Sequence, residues 1–246
     1  MSQAQAWSYG NQWDDGSAAT APVNVRAAFI RKTYLTLGAA ILAFTALTGG
    51  LVYSGVAENI VKTVFVSRGA ILALMVVFIV GGMAAQAMAR SQSSPVIQWL
   101  GLIGYILLNT AIFLPILVVA ETFPQYAGQH LAAQAGICTL MVFGALTFTV
   151  VATGKDFSFL RPFLMVLSFA ALGLIVASLF LGFSLGLAFT VAMLVLAAGY
   201  VLYDTSNVLH HYPPTAHVAA ALALFSSVTL MFYYMLRLFM SQSNRN

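Results

Sequence analysis

One carboxylate lies where an apolar stretch is long enough to cross a membrane. No Asp, Glu, Lys or Arg occurs between Arg161 and Asp204, and an ionisable residue inside a membrane span is costly and commonly functional. A helix ending just before Asp204 would place this carboxylate at the negative end of its dipole. We therefore expect the helix to continue to His210 and His211 and to end before Pro213. Asp204 is then either an interfacial anchor for the helix end or a gating, proton-sensing carboxylate.

Two stripes of polar residues follow the last two apolar stretches at helical spacing. The first stripe, at spacings of four, three and four, consists of Tyr200, Asp204, Asn207 and His211. The second, at spacings of three, four and four and with Ser227 beside it, consists of Ser226, Thr229, Tyr233 and Arg237. Residues at these spacings share one helix face. Such a face either bonds to a neighbouring helix or lines a polar path, for which the candidates are Asp204, Asn207, Ser227 and Tyr233.

Signals of catalysis are weak. Residues 182–186 match the G-x-S-x-G pattern around Ser184, and Asp204 and His210 follow in hydrolase order. That motif works at a strand–turn–helix elbow, whereas here it separates two apolar stretches. Cys138, the single cysteine, lies in an apolar run and has no Cys or His at metal-binding spacing. We expect no enzymatic activity, metal or cofactor.

The composition requires a membrane environment for these residues. Hydrophobic residues make up 61% of the 246-residue chain and charged residues 7%, against roughly 25% charged in soluble domains. A soluble fold of this size could not hide so much apolar surface. The ten Lys and Arg, which outnumber the six Asp and Glu and leave a net charge of +4, lie singly or in small groups between apolar runs. That is typical of orientation signals and excludes a nucleic-acid-binding footprint.

Seven apolar runs have the length of membrane-spanning helices. Each has about 19–25 residues, as a hydrocarbon core requires, and none alternates with a period of two, so helices are favoured over strands. The runs are residues 34–53, 70–89, 96–120, 131–152, 162–181, 185–203 and 218–239. The sequence therefore predicts an all-α, seven-helix transmembrane domain over residues 25–240. A disordered tail at 1–24 and a short polar tail at 241–246 flank it.

The basic residues also predict an orientation. With a cytoplasmic N-terminus, that side receives Arg26, Arg31, Lys32, Arg90, Lys155 and Arg161. The other side receives Lys62, Arg68, Arg237 and Arg245. Because Lys and Arg are enriched in cytoplasmic loops, we expect the N-terminus inside and the C-terminus outside.

Several motifs in the same order resemble the transmembrane Bax inhibitor motif family over roughly residues 25–240. Tyr-Asp-Thr at 203–205, Ala-Leu-Ala-Leu-Phe at 221–225 and Leu-Arg-Leu-Phe at 236–239 are similar to the end of that family's domain. Phe-Ile-Arg-Lys-Thr-Tyr at 29–34 is similar to its opening. Residues 153–160 and 204–210 resemble its bacterial YccA branch in particular.

The resemblance implies a bundle in which six helices surround the seventh, and a cation leak controlled by two aspartates. Asp204 falls on the first of these positions, but Ser227 occupies the second. Two adjacent carboxylates titrate as a coupled pair, whereas one carboxylate facing a hydroxyl does not. A simple two-aspartate calcium site is therefore disfavoured. Arg90, near the end of the second run, is a candidate to neutralise Asp204.

Two functions follow from the resemblance. Members of the YccA branch are associated with FtsH-type membrane proteases, so the first prediction is a bacterial inner-membrane protein that modulates such a protease and is also its substrate. The alternative is a pH-sensitive leak for calcium or protons. The partners expected are the lipid bilayer and, in the first case, the protease complex.

Overall fold

The computed structural model describes residues 16–64, 67–91, 94–126 and 128–243. Within these ranges the chain forms eight α-helices, seven of which are long and apolar enough to span a membrane. They are α1 (Val23–Tyr53), α2 (Val56–Val64), α3 (Arg68–Ala89), α4 (Pro95–Thr122), α5 (Leu131–Thr153), α6 (Arg161–Leu181), α7 (Leu187–His210) and α8 (His217–Ser243). The seven spans are all of these except α2. The predicted all-α, seven-span fold is confirmed.

Six of the seven predicted runs lie within one long helix. The run predicted at 185–203 begins two residues before α7, because Leu185 and Gly186 belong to the preceding loop. The α1 helix begins at Val23, eleven residues before its predicted apolar run. Its first turns contain basic residues such as Arg26 and Arg31, which have good helix propensity but do not count toward an apolar run. The α7 helix continues past Asp204 to His210, as expected. Gly182, with a φ of +75°, ends α6 in the predicted turn.

The short helix α2 was not predicted. It is too short for a span and strongly amphipathic, with an exposed ion pair of 3.3 Å between Glu58 and Lys62. Its other face packs against the bundle, where Ala57 is buried beside Leu114 and Val118 of α4. A search for span-length apolar runs cannot detect a helix of this kind.

The C-terminal helix α8 lies at the centre of the bundle. In the most apolar 18-residue stretch of α8, 67% of the residues are buried inside the protein. The corresponding share is 11% in α3 and 11% in α6. Small residues at its start, including Ala219 and Ala220, let neighbouring helices approach closely. The helices α1, α3, α4, α5 and α7 pack directly on α8, whereas α6 packs mainly on α7. Leu164 and Ala171 of α6 still share a small buried cluster with Tyr234 of α8.

Seven crossings bring one set of helix ends to the same side of the bundle. This side, here named the N-terminal face, carries the starts of α1, α4, α6 and α8 and the ends of α3, α5 and α7. It is the cytoplasmic side in the orientation that the basic residues predict, and that orientation stays a prediction.

The two predicted tails are described only in part. Residues 1–15 and 244–246 lie outside the described residues. Within residues 16–22, the Ala18 N–H donates a 2.8 Å hydrogen bond to the Tyr212 carbonyl, and Ala18 is buried. This segment therefore packs on the loop between α7 and α8, and the helical domain extends through Ser243.

Candidate functional site

An open cavity of about 570 Å³ lies at the N-terminal face, where α3 and α7 end and α4, α6 and α8 begin. We name it the vestibule. Its volume is in the range of small-molecule sites, roughly 300–1,000 Å³. It is lined by Arg90, Gln98, Arg161, Tyr203, Asn207, His211, Tyr212, Pro213, Thr215, Ala216 and Ala219.

Asp204 and Ser227 meet between α7 and α8, deeper in the bundle than the vestibule. The Ser227 hydroxyl donates a hydrogen bond to Asp204 Oδ2, and Ser227 Oγ also lies 3.3 Å from the carbonyl oxygen of Ala223. Tyr203 and Asn207, on either side of Asp204, line the vestibule, whereas Ser227 is eight residues beyond Ala219 of the vestibule wall and so lies about 12 Å further along the axis of α8. Ser227 is buried and Asp204 is partly buried. The structure thus brings the two residues of the predicted gate into direct contact.

Arg90, the third gating candidate, lies in the vestibule at the C-terminal cap of α3. Its guanidinium is beside the Tyr212 hydroxyl and acts electrostatically on Asp204. Burial raises the pKa of Tyr212, and the Arg90 charge opposes that rise. No nitrogen of Arg90 comes within 4.0 Å of a carboxylate oxygen among the described residues. Arg90 therefore influences Asp204 through space and not as a direct ion pair.

The first predicted stripe divides between two environments. Asn207 and His211 line the vestibule. Tyr200 faces α6, where its hydroxyl lies 2.8 Å from Ser168 Oγ and 3.5 Å from the Leu164 carbonyl oxygen. Tyr200 is thus a helix-contact residue and takes no part in the vestibule.

The second stripe mainly holds helices together. Ser226 Oγ lies 2.8 Å from the Tyr105 hydroxyl of α4, whereas Thr229 donates only to carbonyls of its own helix. Arg237 donates a 2.6 Å hydrogen bond to the Leu185 carbonyl and lies 6.0 Å from the Phe189 ring centre. It therefore tethers the loop between α6 and α7 at the face opposite the vestibule.

An aromatic layer closes the interior beside and beyond Ser227. We define it as Phe44, Phe113, Phe225, Phe232 and Tyr233. Phe44 contacts three of the rings, with centre distances of 5.1 Å to Phe113, 5.9 Å to Phe225 and 6.4 Å to Phe232. Tyr233 packs edge-on against Phe113 at 5.6 Å. Of the four residues predicted to line a path, Asn207, Asp204 and Ser227 lie in sequence from the vestibule inward, and Tyr233 belongs to the layer.

A polar clamp beside the vestibule is not predicted by any pattern in the sequence. Asp156 Oδ1 accepts hydrogen bonds from the Ser206 hydroxyl at 3.1 Å and the Ser158 N–H at 2.9 Å, and Ser206 Oγ accepts from the Phe157 N–H at 2.8 Å. His211 Nε2 lies 3.5 Å from Asp156 Oδ2. The clamp ties the loop between α5 and α6 to the end of α7.

The clamp joins the two segments, 153–160 and 204–210, that carry the resemblance to the YccA branch. Their shared resemblance was the one available signal, but it assigned no role to Asp156 or Ser206. Partial burial disfavours the charged form of Asp156, but its hydrogen bonds and the nearby His211 outweigh that effect and hold the pKa of this carboxyl below its ordinary value. Asp156 is therefore engaged as a carboxylate in the clamp.

The hydrolase-like residues lie far apart. Ser184 is in the loop before α7, and His210 is the last residue of that 24-residue helix. A helix of this length spans about 36 Å, so Ser184 and His210 are at opposite faces of the bundle. Within the described residues, no group of three His, Cys, Asp or Glu side chains converges as a metal site would require.

Sequence comparisons agree with this architecture. Residues 26–244 match the family described as inhibitor of apoptosis-promoting Bax1. The Golgi anti-apoptotic protein of vaccinia virus (strain Lister) is 28% identical over 227 residues, which cover 90% of this chain and 89% of the viral protein. Protein lifeguard 4 of Mus musculus is 28% identical over 226 residues, covering 89% and 87% of the two chains.

A bacterial relative matches a shorter region. The protein PA2604 of Pseudomonas aeruginosa is 31% identical over 113 residues, which cover 46% of this chain and 50% of that protein. No solved structure shows significant similarity to the chain. The match to the family extends over nearly the whole bundle, including Asp204, Ser227 and the vestibule, and the chain therefore belongs to the Bax inhibitor family of multi-pass membrane proteins.

Proposed function

We propose that the protein is a pH-sensitive proton leak that is closed in the conformation described here, with Asp204 as its gate. The observation that carries this proposal is the hydrogen bond between Ser227 and Asp204, two polar groups held inside the bundle just below an open vestibule. A carboxyl group inside a membrane span is energetically costly, and residues of this kind commonly have a functional role. The aromatic layer next to it accounts for closure, because its rings pack against one another with centre distances of 6.4, 5.5 and 5.6 Å.

The gate would respond to a single protonation. An ionised Asp204 accepts the hydrogen of Ser227, whereas a protonated carboxyl carries a hydrogen of its own and no charge. The change alters the contact between α7 and α8, one of the two most extensively packed helix pairs in the described part of the chain. Protons suit this route better than calcium, since two arginines line the vestibule and the carboxylate that follows them, Asp204, is paired with a hydroxyl and not with a second carboxylate.

The test is proton flux into liposomes that contain the purified protein, measured across roughly pH 6 to 8. Wild-type protein should show a leak whose rate changes by at most about tenfold per pH unit, because one group titrates. Asp204→Asn should remove that pH dependence. Glu121→Gln, which removes an exposed carboxylate from the end of α4, is the matched control and should behave as wild type. Flux no higher than in empty liposomes, or an unchanged profile in Asp204→Asn, would contradict the proposal.

The second candidate function is modulation of an FtsH-type membrane protease in a bacterial inner membrane. The specific feature that favours it is Ser227, which replaces the second carboxylate expected of a cation latch. The resemblance of residues 153–160 and 204–210 to the YccA branch supports the same interpretation, and the match to a Pseudomonas protein is consistent with a bacterial setting. In this role the protein would act by binding, and it would also be degraded by the protease.

This second function predicts that the chain before the docked segment supplies the end that the protease grips. Deleting residues 1–15, which leaves the Ala18 contact with Tyr212 in place, should lengthen the lifetime of the protein in cells by at least about twofold, since processive proteases require an unstructured end. A chain with residues 1–15 in scrambled order is the control and should be degraded at the normal rate. Equal lifetimes for the deletion and the control would argue against it.

A further inference from the structure

The vestibule contains two arginines that form no ion pair with a carboxylate of the described residues. Arg90 comes from the end of α3 and Arg161 from the start of α6, and both line the cavity. Neither has a carboxylate oxygen within 4.0 Å in the part of the chain that the structure describes. Two cationic side chains that converge on one cavity from separate helices repel each other unless an anion lies between them.

The nearby carboxylates are already engaged. Asp156 is bound by the Ser206 hydroxyl, the Ser158 N–H and His211, and Asp204 is bound by Ser227. Each of these two carboxylates therefore has hydrogen-bonding partners other than the guanidinium groups of Arg90 and Arg161. The positive charge of the vestibule remains available to a ligand.

The rest of the wall offers uncharged hydrogen-bonding groups. Asn207 supplies an amide, Thr215 a hydroxyl, and Tyr203 and Tyr212 phenolic hydroxyls. Such groups bind the oxygens of an oxyanion and do not compete with it as a carboxylate would. Ala216 and Ala219 form the small, apolar part of the wall at the start of α8, which leaves space beside the polar groups.

From this arrangement we propose that the vestibule binds an oxyanion of the phosphate class, held between Arg90 and Arg161. Guanidinium groups pair with two phosphate oxygens at once, in a geometry that a compact ammonium cannot provide. The same chemistry is offered by free phosphate and by the headgroup of an anionic phospholipid, and a cavity of about 570 Å³ at a helix-end face accommodates either. Binding of this kind requires no ion conduction.

One consequence connects this site with Asp204. The Arg90 charge acts on Asp204 through space, so an oxyanion on Arg90 would weaken that influence. This consequence rests on the proposed gate, whereas the binding site itself does not. The two proposals can therefore fail separately.

The experiment measures binding of two probes to the full-length protein in a neutral detergent. Radiolabelled inorganic phosphate in equilibrium dialysis tests the free anion, and native mass spectrometry with phosphatidylglycerol and phosphatidylcholine at equal concentration tests the lipid headgroup. Arg90→Gln and Arg161→Gln should each weaken binding about tenfold, since each removes a charge-assisted contact. Arg31→Gln removes an exposed cation of α1 outside the vestibule and should bind as wild type.

The outcomes distinguish the source of the anion. Loss of phosphate binding in both vestibule variants identifies a free anion, and loss of phosphatidylglycerol binding identifies a lipid. Arg161 is exposed on the first turn of α6, so Arg161→Gln should fold even where Arg90→Gln does not, and Arg161→Lys should retain part of the affinity. Absence of binding of both probes to wild type, or an equal loss in Arg31→Gln, overturns the proposal.

Discussion

Gly101→Ala is expected to lower the stability of the bundle by about 3 kcal/mol, at the upper end of the cost of overpacking. A Cβ at this position of α4 would lie 2.6 Å from the Ala85 carbonyl oxygen and 2.9 Å from the Ala89 backbone nitrogen of α3. Both are main-chain atoms, which cannot move aside as a flexible side chain can. The two helices must therefore separate, and the melting temperature in detergent should fall by about 6–12 °C.

Gly104, three residues further along α4, provides the matched control. A Cβ at that position has no heavy atom within 4 Å, so Gly104→Ala gains only the helix propensity of alanine, up to about 1 kcal/mol. The two variants change the same atoms of the same helix and differ only in the contact with α3. Equal melting temperatures would show that α3 and α4 do not approach as closely as described.

The Gly101 contact also affects the vestibule. Arg90 follows Ala89 directly and caps α3, so a displaced α3 carries Arg90 away from Tyr212 and from the other residues of the cavity. Gly101→Ala should therefore weaken binding of a phosphate-class anion and also lower the melting temperature. Gly104→Ala should lower neither the affinity nor the melting temperature.

The span helices could be predicted because each is determined by local chemistry. A continuous apolar run can be read residue by residue, and the unfavourable position of Asp204 at a helix end correctly indicated that α7 continues to His210. The helix α2 could not be found in this way, since its stability depends on burial of Ala57 against α4. Tertiary contact, which no local pattern records, decides that element.

The site could be predicted only for residues whose type is rare inside an apolar stretch. Asp204 attracts attention in any such sequence because it ends a charge-free stretch, and the resemblance paired it with Ser227, which the polar stripe of the last apolar run had already indicated. The Asp156–Ser206 bond joins residues 50 positions apart, and each alone is an ordinary polar residue near a helix end. The aromatic layer was missed for a similar reason, because Phe residues are frequent throughout the chain and only the packing of α1, α4 and α8 selects those that meet.

Phe225→Ala is the second substitution from which we expect a large effect, because it removes a fully buried ring from the aromatic layer. Phe225 has no exposed surface, and its ring centre lies 5.9 Å from Phe44 and 6.1 Å from Tyr105. Because lipid is as apolar as the protein interior, the loss of stability comes from lost packing contacts and from the cavity left behind. We expect the free energy of unfolding to fall by about 2–4 kcal/mol. Phe169→Ala removes a ring that is 70% exposed on α6 and should leave the melting temperature nearly unchanged.

The same variant separates the two means of closure. If the aromatic layer blocks the route beyond Ser227, Phe225→Ala should increase proton flux into liposomes, and it should do so even when combined with Asp204→Asn, because the cavity then bypasses the gate. Phe169→Ala should leave the flux at the wild-type level. A Phe225→Ala protein that melts earlier but leaks no faster would show that the layer acts only in packing. Closure would then depend on the hydrogen bond between Asp204 and Ser227, and Ser227→Ala should raise the flux instead.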